Sequence, residues 1–88
     1  MLPPSFTLGE IEDAVLAMGF KKTEERGRWI RFTHPASPVI TLIPWYERSA
    51  KLLPIHCRRF REDLVDFGFI ANPEQFEEVI RNRGRVAS

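Results

Sequence analysis

The chain has a single cysteine, Cys57, among its 88 residues. An internal disulfide is therefore impossible, and a cysteine-built zinc site lacks the ligands it needs. Cys57 precedes Arg58 and Arg59, which would lower its pKa if they stood close; otherwise it reads as a half-buried structural thiol. Histidine is nearly as scarce, with only His34 and His56 present. No acidic or cysteine spacing around them points to a metal, so neither metal nor cofactor is expected. No apolar run approaches the roughly 18 to 20 residues that a bilayer span needs. The opening Met1-Leu2-Pro3-Pro4-Ser5 lacks the basic and apolar segments of a signal peptide, so a cytoplasmic location is expected. Two carboxylate pairs, Glu24-Glu25 and Glu77-Glu78, are adjacent in sequence. Strand neighbours point to opposite faces and helix neighbours diverge by about 100°, so neither makes an acid/base pair.

What the chain does have is bulk: 43% hydrophobic residues, with seven Phe and two Trp. That supports one modest core and leaves no room for a second. The expected organisation is a single domain over 1–88, with an ordered core over residues 6–81 and a basic tail over 82–88.

Thr7-Leu8-Gly9-Glu10 fits a capping box, with Phe6 and Ile11 at the staple positions. Leu8, Ile11, Val15 and Met18 then repeat at helical spacing, and Gly19-Phe20 is placed as the stop, giving a helix over 8–18. Lys21 to Arg26 reads as an exposed edge strand, and Glu25-Arg26-Gly27-Arg28 as a turn. Trp29 to Thr33 alternates, with Ile30 and Phe32 on the core face and Trp29, Arg31 and Thr33 on the other. His34-Pro35-Ala36-Ser37-Pro38 breaks the chain. Val39 to Ile43 is a continuous β-branched run, read as a central or well-covered strand. A loop over 44–54 follows, bracketed by Pro44 and Pro54. Cys57, Phe60, Leu64 and Phe67 mark a second helix over 56–67. Asn72-Pro73 starts a third, with Phe76, Val79 and Ile80 inward. The order α-β-β-β-α-α predicts a two-layer α+β domain with the helices on one face of three antiparallel strands.

The net charge of +1 conceals segregation. Glu10, Glu12 and Asp13 are the only charges in the first twenty residues, and Asp66, Glu74, Glu77 and Glu78 the only ones over 64–80. Basic residues gather on the hairpin, the 44–54 loop and the tail. A surface divided in this way can orient a polyanion.

Several stretches together resemble the HicA (YcfA-like) family of mRNA-cleaving toxins. These are Ala17-Met18-Gly19-Phe20, the basic first strand, Gly27 to Pro35 with Phe32 and His34-Pro35, and the apolar strand closing on Pro44. The segment Val65-Asp66-Phe67-Gly68-Phe69-Ile70 and the short helix over 73–80 complete the match, which spans residues 8–80. The resemblance implies a double-stranded-RNA-binding-domain-like fold, an RNA substrate and a HicB-like antitoxin partner. The family's strand typically reads Gly-Ser-His, with the histidine acting in cleavage; here Gly27-Arg28-Trp29 stands in its place. A second frequent family histidine falls at Tyr46. Indole cannot exchange a proton near neutral pH and phenol does so poorly, so the family's chemistry is carried over onto no residue.

Of the two histidines, His34 reads as a turn or edge residue. His56, at the start of the second helix, is the candidate relocated base, held neutral by the positive helix terminus. Binding chemistry fares better, since an exposed Trp29 flanked by Arg28 and Arg31 can stack on an unpaired base while guanidinium groups hold phosphate. The expected RNA contacts are Lys22, Arg26, Arg28, Trp29, Arg31, Arg48, Lys51 and Arg58. A competing reading packs Trp29 under the 44–54 loop against Trp45. Another makes Trp29, Trp45 and Tyr46 an interface for a second copy or an antitoxin-like protein. A third keeps ribonuclease activity, through His56.

Overall fold

The structure, a computed structural model, describes residues 5–25 and 27–84. Helix α1 runs over Leu8–Ala17, followed by strands β1 (Lys21–Glu25), β2 (Trp29–His34) and β3 (Ser37–Pro44), then helices α2 (Pro54–Asp66) and α3 (Gln75–Arg81). The three strands form one antiparallel sheet in the order β1-β2-β3. The chain is thus a small α+β domain, a helix followed by three antiparallel strands and two further helices.

Helix α1 begins where the capping box predicts. The Glu10 N–H donates to Thr7 Oγ1 and the Thr7 N–H to Glu10 Oε1, at 3.2 and 2.9 Å. The two N–H groups ahead of Glu10, on Leu8 and Gly9, donate to the carbonyls of Ala50 and Arg48 in the loop after β3. The helix's first N–H groups are therefore satisfied within the chain. Leu8, Ile11, Ala14 and Val15 are buried.

Strand alternation then sets the layers. Ile30, Phe32, Val39, Thr41 and Ile43 point inward and are buried, whereas Trp29, Arg31 and Ile40 point outward. Helix α2 packs on β3 and α1 on α3, so all three helices cover one face. Phe32 meets Phe60 edge to face at 5.2 Å, and the inward Thr41 hydroxyl donates to Asp63 Oδ2 at 2.6 Å. Phe6 meets Phe76 in the same edge-on manner, fastening the N-terminal segment to α3.

Several boundaries and placements differ from expectation. Strand β3 is an edge, not a central strand, and Ile40 stays 62% exposed. A continuous apolar run suggests cover on both faces, but here only one face is covered. The His34–Pro38 stretch is a tight turn, with Ser37 and Pro38 already in β3. Pro44 falls where the missing N–H would face the free edge, and Pro38 sits at the irregularity where the β2–β3 register shifts. The Trp45 N–H donating to the Arg28 carbonyl and the Arg59 guanidinium donating to the Leu42 carbonyl fix the alternation at Pro44.

Helix α2 starts at Pro54, whose absent N–H costs nothing at the first helical position. Phe67 caps it at 43% exposed, and Phe69 turns inward instead, against Phe20. Helix α3 begins at Gln75 rather than Pro73, although Asn72 Oδ1 still accepts the Gln75 N–H. Residues 82–84 are not a frayed tail. Gly84 donates to the Val79 carbonyl at φ +90°, and a Cβ there would lie 2.6 Å from the Ala14 carbonyl oxygen of α1. Residues 85–88, the rest of the expected tail, and Arg26 lie outside the described residues.

Candidate functional site

The uncovered face of the sheet carries three cross-strand rows. Strand register aligns Glu25, Trp29 and Pro44, then Thr23, Arg31 and Leu42, then Lys21, Thr33 and Ile40. Trp29 is 44% exposed on this face, and no ring contact joins it to Trp45. Arg31 stands two residues along on the same face and donates to Glu25 Oε1 at 2.8 Å. Arg28 leaves the hairpin turn beside Trp29, and with Glu24 and Glu25 they line a shallow depression. Guanidinium and indole are therefore neighbours on open surface, the geometry that base stacking with phosphate contact requires.

The other expected contacts are not on this face. Lys22 points to the helix side, where it meets Glu12 Oε2 at 3.0 Å and Glu24 Oε1 at 3.3 Å. Burial pulls its ammonium down, but the two carboxylates more than offset this and its pKa is raised. Arg48 clasps α1 through Glu12 and Asp13, at 3.2 and 3.1 Å. Lys51 is exposed and bridges to Thr7 at the start of α1. Arg58 lies on α2, where with Arg61, Phe6, Leu52 and Phe76 it borders an open groove of about 470 Å³. The spacing of charges in the chain could not reveal this, because Lys22 and Arg48 meet Glu12 on α1, ten and thirty-six residues away, and Lys51 and Arg58 stand on a loop and a helix that the sheet face does not include. Conversely, Lys21, Ile40 and Leu42 share the face with Trp29 and were not singled out. The alternation of β1 and β3 was the signal that could have placed them there.

Tyr46 also leaves the predicted interface. Its hydroxyl accepts the Leu53 N–H at 3.2 Å and sits 2.5 Å from His56 Nδ1, and its ring is partly buried against the core. Trp45 remains 41% exposed beyond Pro44. The His56 pKa is lowered, first by burial and second by the positive charge of Arg59. A neutral imidazole accepts the Tyr46 O–H at Nδ1, so this nitrogen is committed to holding the loop.

His34 is held at both ring nitrogens. The Ala36 N–H donates to Nδ1 at 3.0 Å, which leaves Nε2 as the N–H donor to the Met18 carbonyl, also at 3.0 Å. Its ring packs with those of Phe20 and Phe69 in a three-ring cluster, and the histidine joins the β2–β3 turn to the end of α1. Cys57 is buried, and burial pushes its thiol up despite the opposing Phe6 backbone and Arg61. The flanking Arg58 and Arg59 do not activate it.

Among the described residues, no group of three or more His, Cys, Asp or Glu could hold a metal ion, and no helix is long and apolar enough to cross a membrane. Comparison of the chain with protein-family models, with characterised proteins and with solved structures finds no match.

Proposed function

We propose that the chain is a HicA-like RNA-binding domain, of double-stranded-RNA-binding-domain-like architecture, that takes unpaired RNA on its bare sheet face. In this reading the family's cleavage chemistry is lost or altered. The observation that carries it is the exposed Trp29 indole in line with Arg31 and beside Arg28, on a face that no helix covers. Stacking on the indole would hold a base, and the cations would hold the backbone. Lys21, at the far end of the same face, adds a third phosphate contact. The placement of both imidazoles away from this face supports binding over cleavage: His34 is held at both nitrogens by the β2–β3 turn and the end of α1, and His56 stands on α2 with Nδ1 on Tyr46.

The test is a titration of labelled single-stranded RNA across a salt series, read for both binding and cleavage. Three phosphate contacts on a single strand predict a log–log salt slope of about −2. Trp29→Ala removes one stacking partner and should weaken binding by about 5- to 150-fold, corresponding to roughly 1–3 kcal/mol per stacked base. Salt-insensitive binding, or a Trp29→Ala protein that binds like the parent, would overturn the reading.

One observation favours a second reading. Ile40, 62% exposed, stands with Leu42 and Pro44 in an apolar column beside Trp29. An antitoxin-like protein covering this column would compete with RNA for the same face.

A further inference from the structure

The free edge of β1 reads as a charge palindrome. Its five residues are Lys21-Lys22-Thr23-Glu24-Glu25. The Glu25 carbonyl accepts the Arg28 N–H across the hairpin, so the main-chain groups of Glu25, Thr23 and Lys21 face β2. Those of Lys22 and Glu24 then face outward, two N–H donors and two carbonyl acceptors on an open edge.

We propose that this edge is the interface of a two-fold homodimer, in which antiparallel β1–β1 pairing centred on Thr23 joins two sheets into one of six strands. In this register Lys22 and Glu24 exchange main-chain hydrogen bonds with Glu24 and Lys22 of the second copy, satisfying all four outward groups. The same register sets Lys21 opposite Glu25 of the second copy on the bare face, and Lys22 opposite Glu24 on the helix face. Every charged position meets its opposite.

No other register does so. The outward groups allow only shifts of two residues, and these place Lys22 against its own copy or Glu24 against its own copy. Parallel pairing sets Lys on Lys and Glu on Glu throughout. Charged edge strands normally discourage pairing; this one discourages all but one alignment.

The flanks fit as well. Glu25 already holds Arg31, so Lys21 of the second copy completes a three-charge cluster. Leu16 lies one helical turn beyond Glu12, the residue that holds Lys22, and is 39% exposed on that flank of α1. The far edge offers no equivalent, since β3 has Pro44 at an outward position, an irregular register around Pro38, and gives its Leu42 carbonyl to Arg59. The dimer would carry both Trp29 faces on the same side, and it stands whether or not RNA is their ligand.

Sedimentation velocity over a wide concentration range tests the proposal. The parent should show a monomer–dimer equilibrium that weakens with salt, because the cross-strand charges are exposed. Lys21→Glu and Glu25→Lys each set like charges together at two symmetry-related places, and each should weaken self-association about tenfold or more. Mixing the two variants restores opposite charges at both places and should recover a heterodimer. Lost stability in either variant would not produce that recovery. Thr23→Cys places two thiols across the dyad at a closely spaced pair and should form a covalent dimer on mild oxidation of the folded protein. A parent that stays monomeric at the highest concentration, variants that associate like the parent, or a mixture that remains monomeric would each overturn the proposal.

Discussion

His34 invites a functional reading because histidine is rare in this chain, yet its surroundings define a structural clasp. Replacing it with alanine removes the donor to the Met18 carbonyl and the acceptor of the Ala36 N–H. Each bond contributes about 0.5–1.5 kcal/mol net. The ring also leaves contacts with Phe20 and Phe69, whose centroids lie 5.1 and 4.8 Å away. Because the site is half-buried, water can serve part of what is lost. A total of about 2–4 kcal/mol follows, a large share of the roughly 5–15 kcal/mol that holds a small domain together. Gly19 sharpens the test. At φ +98° an alanine there costs about 1–2 kcal/mol from the backbone alone. Its Cβ would also lie 2.9 Å from His34 Nε2, displacing the imidazole from Met18. Once His34 is alanine, that second penalty vanishes and only the backbone part remains. The double variant should therefore be less destabilised than the sum of the singles by about 1 kcal/mol or more. Urea unfolding followed by tryptophan fluorescence, with midpoints compared at constant slope, measures all four proteins. Additivity within about 0.5 kcal/mol, or a His34→Ala protein as stable as the parent, would refute the clasp.

Three further outcomes are expected. Tyr46→Phe removes the acceptor of the Leu53 N–H and the partner of His56 Nδ1, and should lower stability by about 1 kcal/mol in the same urea assay. The folded-state pKa of His56 lies below its ordinary 6.5, so the unfolded chain takes the proton first. Its contribution is present above 6.5 and is lost as pH falls through the folded value. Urea midpoints should therefore drop on acidification through that range, and His56→Gln should flatten this part of the profile. Cys57, buried and with its thiol pushed up, should react with iodoacetamide at neutral pH about tenfold or more slowly than in the urea-unfolded chain. Equal rates would show that the thiol is open to solvent.

The elements of this protein follow from contacts a few residues apart. Thr7 and Glu10 cap α1 from three residues' distance, the spacing of Phe76, Val79 and Ile80 sets the buried face of α3, and the alternation of Ile30 and Phe32 sets the pleat of β2. Each is a local period or a local hydrogen bond, so the amino-acid order alone determined it. The candidate face was half legible for the same reason: Arg28, Trp29 and Arg31 are neighbours in sequence and remain neighbours in space. What only the tertiary structure decided is who meets whom across the fold. Arg48 reaches Asp13 over 35 residues, Thr41 reaches Asp63 over 22 and His34 reaches Met18 over 16. These partnerships hold Arg48 and Lys22 beside α1, away from the bare face, and Tyr46 turns inward. Strand order belongs to the same class, since a β-branched run such as 39–43 has one pattern whether it lies at the centre of a sheet or, as here, at its edge. Local chemistry can specify a strand, but only the packing of all three helices on one side determines which surface is left bare.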